Sequence, residues 1–358
     1  MSTDTRTASD ADPTAGEPSP VPPSPGYQVR VAEVVDETAD ARSFVLESTD
    51  AWPGYLPGQF LTVRIPDADA GGARCYSLAS SPHADPAMKF TVKRVPGGRG
   101  SNWLCDTVCA GDELEVLPPA GVFTPASLDE PVVLVAGGSG ITPVISIAKS
   151  VLSGGAGDVV LVYANRDQDS VIFADELREL EARFPDRLAV VHILESVQGY
   201  PTRRTLSLLL RPFADRDAYI CGPEPLMDLA ASVCRSEGFA PGRVHTERFL
   251  SLHSDPFAAG APPAADAEIA CRVRVRIDGA DHEVGWQAGR TLLDALLAAG
   301  VQAPYSCREG ACSACVCTLT EGRVTLARND VLTDDDLADG YILACQAEPV
   351  DERIVVEY

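Results

Sequence analysis

Positive charge is scarce in this chain: 29 Lys and Arg stand against 52 Asp and Glu in 358 residues, a formal net charge of −23. Such an excess of anionic groups repels polyanions, which argues against nucleic acid and anionic membrane as partners. Long apolar runs are missing too, with no stretch of about 20 residues fit to cross a bilayer. Residues 1–26, rich in Pro, Ser, Thr, Ala and Asp, have no apolar core of a secretory signal. That segment is expected to be a disordered tail, and the chain to be cytoplasmic. Nor do the 11 cysteines, an odd number, make a disulfide framework. They suit a reducing compartment. An acidic surface could steer a basic protein partner, although a well-hydrated exterior accounts for the charge equally simply.

Four of the cysteines organise the rest. Pro304-Tyr-Ser-Cys307-Arg-Glu-Gly-Ala-Cys312-Ser-Ala-Cys315 spaces three thiols at x4 and x2, and Leu343-Ala-Cys345-Gln supplies a fourth. Cys307, Cys312, Cys315 and Cys345 match the plant-type [2Fe–2S] ligand pattern. Between them Gly310, Ala311, Ser313 and Ala314 keep bulk away, so backbone N–H groups can point at the sulfides. Zinc also takes four thiolates, but its structural sites usually come as two CxxC-like knuckles, and the second knuckle is missing. A cluster carries one electron and makes no bonds itself. Another part of the chain must feed it.

Residues 27–128 read as one folded unit. Short runs of alternating polarity from Gln28, Ser43, Gln59, Lys89 and Glu113, cut by Gly and Pro, predict an antiparallel β-barrel. Two segments exceed structural need. Arg74-Cys-Tyr-Ser-Leu-Ala-Ser-Ser-Pro82 puts a cation, an aromatic ring and a hydroxyl on one strand and its exit. Val92 to Leu104 is a Gly-rich turn running into a short helix, where N–H groups can cradle phosphate.

Residues 129–250 change pattern. Apolar strands at Val132, Val159, Ala189 and Ala218 alternate with helical stretches from Pro143, Phe173 and Glu224, and a last strand runs from Arg243 to Phe249. This predicts a parallel α/β sheet. Its first strand-to-helix turn, Gly137-Gly-Ser-Gly140-Ile-Thr142-Pro143, lets backbone approach a pyrophosphate. It departs from GxGxxG, because Pro143 stands at the third glycine, and alone it is also an ordinary tight connection. Residues 251–268, Ala- and Pro-rich without periodicity, are expected to be a solvated, semi-stiff tether. Residues 269–358 set the cluster loop among short strands and one helix from Thr291, the pattern of an α+β β-grasp ferredoxin.

Arg74-x-Tyr76-Ser77-Leu78 resembles the flavin motif of the ferredoxin–NADP reductase superfamily, and the Gly-rich turn after Val92 resembles its FAD-pyrophosphate site. The GxGxxP turn with Cys221-Gly222-Pro223-x-x-x-Met227 is similar to the superfamily's nicotinamide domain. The resemblance implies Arg74 paired with pyrophosphate, Tyr76 packed on the isoalloxazine, Ser77 near flavin N5, and Leu78 within the motif. It implies Thr91, Val92 and Lys93 bordering the ring and Gly100 and Ser101 on phosphates. For the nucleotide it implies Gly137, Gly138, Gly140, Thr142, Pro143, Gly222, Pro223 and Met227, with Cys221 beside the nicotinamide. Glu247 is expected to tune the site and Phe249 to cover the ring, the plain alternatives being a solvated Glu and a core Phe. Ser77, Cys221 and Glu247 are thus the catalytic candidates. Cys75, Cys105, Cys109, Cys234, Cys271 and Cys317 are expected to be inert.

The implied activity is a relay. NADH delivers two electrons at once, FAD holds both and releases them singly, and [2Fe–2S] passes each to a terminal Rieske-type oxygenase. NADH is expected over NADPH: Arg166 offers a cation to a 2′-phosphate, but Asp167 and Asp169 beside it would repel one. The stretches from Tyr163 to Ala174, from Leu194 to Gly199 and around Asn329 and Cys345 resemble reductase components of 3-ketosteroid 9α-hydroxylase systems. Reductase subunits of phenylacetyl-CoA epoxidase-like systems share the domain order. A non-catalytic electron-carrier module is the remaining reading.

Overall fold

The computed structural model describes residues 26–47, 54–66, 72–249, 252, 255–257, 269–277 and 279–358. The expected N-terminal tail, apart from Gly26, and most of the expected tether lie outside the described residues. The fold is three sheets in series.

The first holds β1 (Tyr27–Thr38), β2 (Ala41–Leu46), β3 (Phe60–Arg64), β4 (Ala73–Ser77), β5 (Lys89–Lys93) and, after helix α1 (Arg99–Thr107), β6 (Glu113–Val116). The order β4-β3-β6-β1-β2-β5 is antiparallel throughout. A bridge between Leu78 and Phe90 joins its two edges and closes a barrel. Alternation puts Val31, Phe44, Leu61, Val63 and Phe90 inside, each worth about 1.5–3 kcal/mol of burial.

The second sheet holds β7 (Val132–Gly137), α2 (Ile141–Gly154), β8 (Val159–Asn165), α3 (Ala174–Arg183), β9 (Leu188–Leu194), α4 (Glu195–Gln198), α5 (Arg203–Leu210), β10 (Asp217–Cys221), α6 (Glu224–Ser236) and β11 (Val244–Glu247). All five strands are parallel, in the order β11-β10-β7-β8-β9. Helix α5, capped by the Thr202 hydroxyl, was not foreseen. Two arginines open it and its inward face is little more than Leu206 and Leu210.

The third sheet is mixed: β12 (Ile269–Ile277), β13 (Ala280–Gln287), α7 (Leu292–Ala298), β14 (Val316–Glu321), β15 (Val324–Leu326), α8 (Asp334–Ala338), β16 (Tyr341–Leu343), β17 (Ala347–Pro349) and β18 (Arg353–Glu357). Order β13-β12-β18-β14-β16 curls around α7, whose Leu292, Leu293 and Leu296 pack with Trp286. β15 and β17 form a separate pair.

Polar contacts fix the units to one another. Lys149 of α2, almost wholly buried, meets Asp85 of the barrel and Glu176 of α3 at 2.7 Å each, and Glu176 takes Lys89 of β5 at 2.9 Å. Thr62 of β3 bonds Ser306 of the cluster loop at 2.6 Å. Within the expected tether, Leu252 and Phe257 are buried against Ala73, Leu117, Cys307 and Ala311, with the Arg64 guanidinium over the Phe257 ring. The described part of that segment is therefore pinned in the seam between barrel and cluster loop, not solvated, because it carries two large apolar side chains.

Candidate functional site

On the barrel, the residues singled out for flavin fall into two groups. Arg74, Tyr76 and Gly100 converge: a Cβ on Gly100 would lie 2.9 Å from Arg74 Cγ and 3.3 Å from Tyr76 Oη. No described side chain caps α1, so its first-turn N–H groups, beside Arg74, suit a pyrophosphate. Ser101 accepts a hydrogen bond from the Val95 N–H and so shapes that turn. Tyr76 stacks on Phe90 at 5.8 Å, and Ser77 is buried at the strand's end. Leu78 and Val92 turn inward to the barrel core, and the Thr91 hydroxyl is engaged by Ser43 at 2.7 Å. Lys93 reaches away from the barrel. Its Nζ lies 3.7 Å from where a Gly138 Cβ would stand, on the nucleotide turn.

The strand order of the second sheet reverses between β7 and β10, and ligands of open parallel sheets bind at the carboxyl ends of strands at such a point. The turn from Gly137 to Gly140 and the Cys221-Gly222-Pro223 turn both lie there. A Cβ on Gly140 would stand 2.2 Å from the Cys221 carbonyl oxygen, so any larger residue would drive the two turns apart. A Cβ on Gly137 would stand 2.5 Å from Leu226 Cδ2 and 2.8 Å from Pro223 Cδ, and Gly138 turns through φ +52°. Thr142 donates to the Ser139 carbonyl at 3.0 Å, and Pro143 is buried in the first turn of α2. Gly222 and Pro223 lead into α6, whereas Met227 is part of the apolar core behind it.

A cavity of about 500 Å³ opens over these turns, a size that suits a nucleotide. Gly137, Gly138, Pro223 and Lys93 line it together with Asp40, Asn165, Arg166, Glu195 and Tyr200. Asn165 is buried and neither polar atom of its amide has a hydrogen-bond partner. The nearby Tyr163 hydroxyl instead donates to the Gly138 carbonyl at 3.0 Å. Asp40, Asn165, Glu195 and Tyr200 escaped the sequence reading. Asn165, a polar residue closing a buried strand, was readable in principle; Asp40 sits on a barrel hairpin and gave no local sign.

Between barrel, nucleotide sheet and cluster loop lies a narrow cleft lined by Ser77, Cys75, Glu247, Phe249 and Cys312. Glu247 is in register with Cys221 across β10 and β11. Phe249 lies beyond the end of β11 and is about half exposed. Burial pushes Glu247 up to about 8, Cys75 up to about 11, and Cys221 well above the ordinary thiol value. Near neutral pH these three groups therefore stay protonated. Cys75 is not merely packed away: it lies 3.6 Å from both the Thr62 and Ser306 hydroxyls.

The cluster loop turns through positive φ at Arg308, Gly310 and Ser313. Those turns aim backbone N–H groups at sulfur. Glu309 and Ala311 donate to Cys307 Sγ at 3.3 and 3.5 Å, Cys307 to Cys312 Sγ at 3.4 Å, and Cys345 to Cys315 Sγ at 3.5 Å. The four thiols neighbour one another in a chain, Cys312 beside Cys307, Cys307 beside Cys345 and Cys345 beside Cys315. No group of three or more His, Cys, Asp or Glu among the described residues forms a metal site by convergence. Four neighbouring thiols served by backbone N–H donors suit a plant-type two-iron cluster. Cys317, two residues on, points into the core.

Three family models match in chain order: an oxidoreductase FAD-binding domain over residues 28–124, an oxidoreductase NAD-binding domain over 134–232, and a 2Fe-2S iron-sulfur cluster binding domain over 275–350. The ferredoxin reductase component of 3-ketosteroid-9-alpha-monooxygenase from Rhodococcus rhodochrous is 52% identical over 335 residues, covering 92% of this chain and 95% of that protein. A component of the 1,2-phenylacetyl-CoA epoxidase from Escherichia coli is 30% identical, covering 93% of this chain and 97% of that protein. Among solved structures, phthalate dioxygenase reductase, described as a modular structure for electron transfer from pyridine nucleotides to [2Fe–2S], aligns with a TM-score of 0.56 and 28% identity. It covers 93% of this chain and 98% of that one.

Proposed function

Since the chain belongs to the family of monooxygenase reductase components with FAD-, NAD- and 2Fe-2S-binding domains, it transfers electrons from NADH to an oxygenase, and we propose that this acceptor is a Rieske-type 3-ketosteroid 9α-hydroxylase in the cytoplasm. The observation that carries the substrate class is the 52% identity over 92% of the chain. Among the described residues no helix is long and apolar enough to cross a membrane.

FAD supplies the conversion of one two-electron transfer into two single ones, and the cluster supplies a one-electron outlet. In this reading Arg74, Gly100 and the N-terminus of α1 hold the FAD pyrophosphate, Tyr76 supports the ring, and Cys307, Cys312, Cys315 and Cys345 hold iron. Gly137, Gly138, Gly140, Gly222 and Pro223 admit the dinucleotide, and Asn165 offers its unpaired amide to it. Ser77 and Glu247 share the cleft where the flavin and nucleotide sites would adjoin, and Cys221 is the cross-strand neighbour of Glu247. There a protonated Glu247 and the small side chains of Ser77 and Cys221 would limit the water that reaches the junction. Cys312 shares the cleft with Ser77, so the outlet begins beside the flavin strand.

Anaerobic NADH titration tests the reductase activity: both flavin and cluster absorbance should bleach, and failure of both would leave a passive carrier. Product formed per NADH, with a 3-ketosteroid 9α-oxygenase and with a phenylacetyl-CoA epoxidase, tests the acceptor. Coupled turnover only with the epoxidase would replace the steroid reading.

A further inference from the structure

At the carboxyl end of β8, next to the Gly-rich turn, dinucleotide folds place the residue that meets the adenosine ribose, where a carboxylate suits a 2′-hydroxyl and an arginine a 2′-phosphate. Here that end of the strand carries Asn165 and then Arg166. By type alone Arg166 would favour the phosphorylated dinucleotide, contrary to the NADH donor. The structure shows what becomes of its charge. Arg166 Nη2 donates to Asp40 Oδ2 at 2.9 Å, across the boundary between nucleotide sheet and barrel, and both residues line the nucleotide cavity.

Asp40 is held for that contact. Its other oxygen, Oδ1, accepts from the Thr38 hydroxyl at 2.9 Å within the β1–β2 turn, and Lys93 Nζ stands 3.8 Å from Oδ2. The neighbouring carboxylate that the sequence offered as a repellent, Asp167, is turned to its own backbone, accepting from the Ser170 N–H at 2.9 Å. A 2′-phosphate approaching Arg166 would have to displace a carboxylate already bonded to it, and would meet Glu195 in the same cavity.

We propose that Asp40 is a specificity-determining residue: by occupying Arg166 from the barrel side it withholds the guanidinium at the end of β8 from a 2′-phosphate, and so selects NADH over NADPH. This rests on the reading of the cavity as the dinucleotide site. Asp40→Asn removes the charge but keeps the shape, and frees the guanidinium.

The test uses the FAD- and cluster-loaded full chain. Binding of 2′,5′-ADP and of 5′-ADP is measured by calorimetry, and the ratio of kcat/KM for NADPH to that for NADH is measured by flavin reduction. Asp40→Asn should tighten 2′,5′-ADP about tenfold or more and raise the ratio to match, with 5′-ADP changed little, as expected for an arginine–phosphate contact regained. Adding Arg166→Gln should erase the gain. Arg166→Gln alone should leave the already poor NADPH use nearly unchanged, since its cation is not free. An unmoved ratio in Asp40→Asn overturns the proposal, as does a gain that survives Arg166→Gln. A large loss of NADPH use in Arg166→Gln alone overturns it without needing Asp40→Asn to fold. A wild-type chain that NADH does not reduce would instead defeat the reductase reading itself.

Discussion

Glu247 is part-buried at the end of β11, and the atoms packed around its carboxyl lift it from the ordinary 4.5 to about 8. The folded chain thus keeps this proton more tightly than the unfolded chain. Its contribution to stability is complete below about pH 4.5 and is lost as pH rises through about 8. Thermal midpoints followed across that window should fall less steeply in Glu247→Gln than in the wild type; parallel curves would show that the carboxyl titrates normally. Gly140 allows a sharper test of the nucleotide turns. With a methyl group aimed 2.2 Å from the Cys221 carbonyl, Gly140→Ala should destabilise by about 1–3 kcal/mol and weaken NADH binding at least tenfold, read by denaturant unfolding and by flavin reduction. Ser77, Cys221 and the cluster cysteines could be singled out from the sequence because each stands in a motif with its own chemistry. Asp40 was not, since its partner Arg166 lies far away in sequence and only folding brings the two together.

Between elements, the buried ammonium of Lys149 is the joint to examine. It ties α2 to α3 and to the barrel loop through two carboxylates at 2.7 Å. In Glu176 the penalty of burial is outweighed by Lys149 and Lys89, which hold the carboxyl below its usual range. Lys149→Met would leave Asp85 and Glu176 short of a countercharge. It should lower stability by about 3–5 kcal/mol, measured by urea unfolding. A loss under about 1 kcal/mol would mean that the network is wet and weak. The strands were largely readable because period-two alternation and unbroken apolar runs are strong signals. Helix α5 was not, being short, opened by arginines, and held by the packing of Leu206 and Leu210 on elements distant in sequence. The last parallel strand stops at Glu247, so Phe249, read as a strand residue, is placed by loop contacts instead.

Across the whole molecule, three units in series separate the chemistry into steps that can be removed one at a time. Cys307→Ser takes one sulfur from the cluster loop. Flavin should still be reduced by NADH at close to the original rate, while the low-temperature EPR signal of the cluster and delivery to an oxygenase disappear. Loss of flavin reduction as well would show that the cluster loop is needed to build the barrel side. The order of the units was plain from composition, but the seam between them was not. The segment after β11 reads as a solvated, semi-stiff Ala/Pro tether, yet Leu252 and Phe257 are buried against Cys307 and Ala311, with Arg64 over the phenylalanine. A lobe stapled down in this way cannot ferry its charge outward by swinging. The acceptor would then have to come to the lobe, so its docking falls on the surface around the loop that carries Cys307, Cys312 and Cys315.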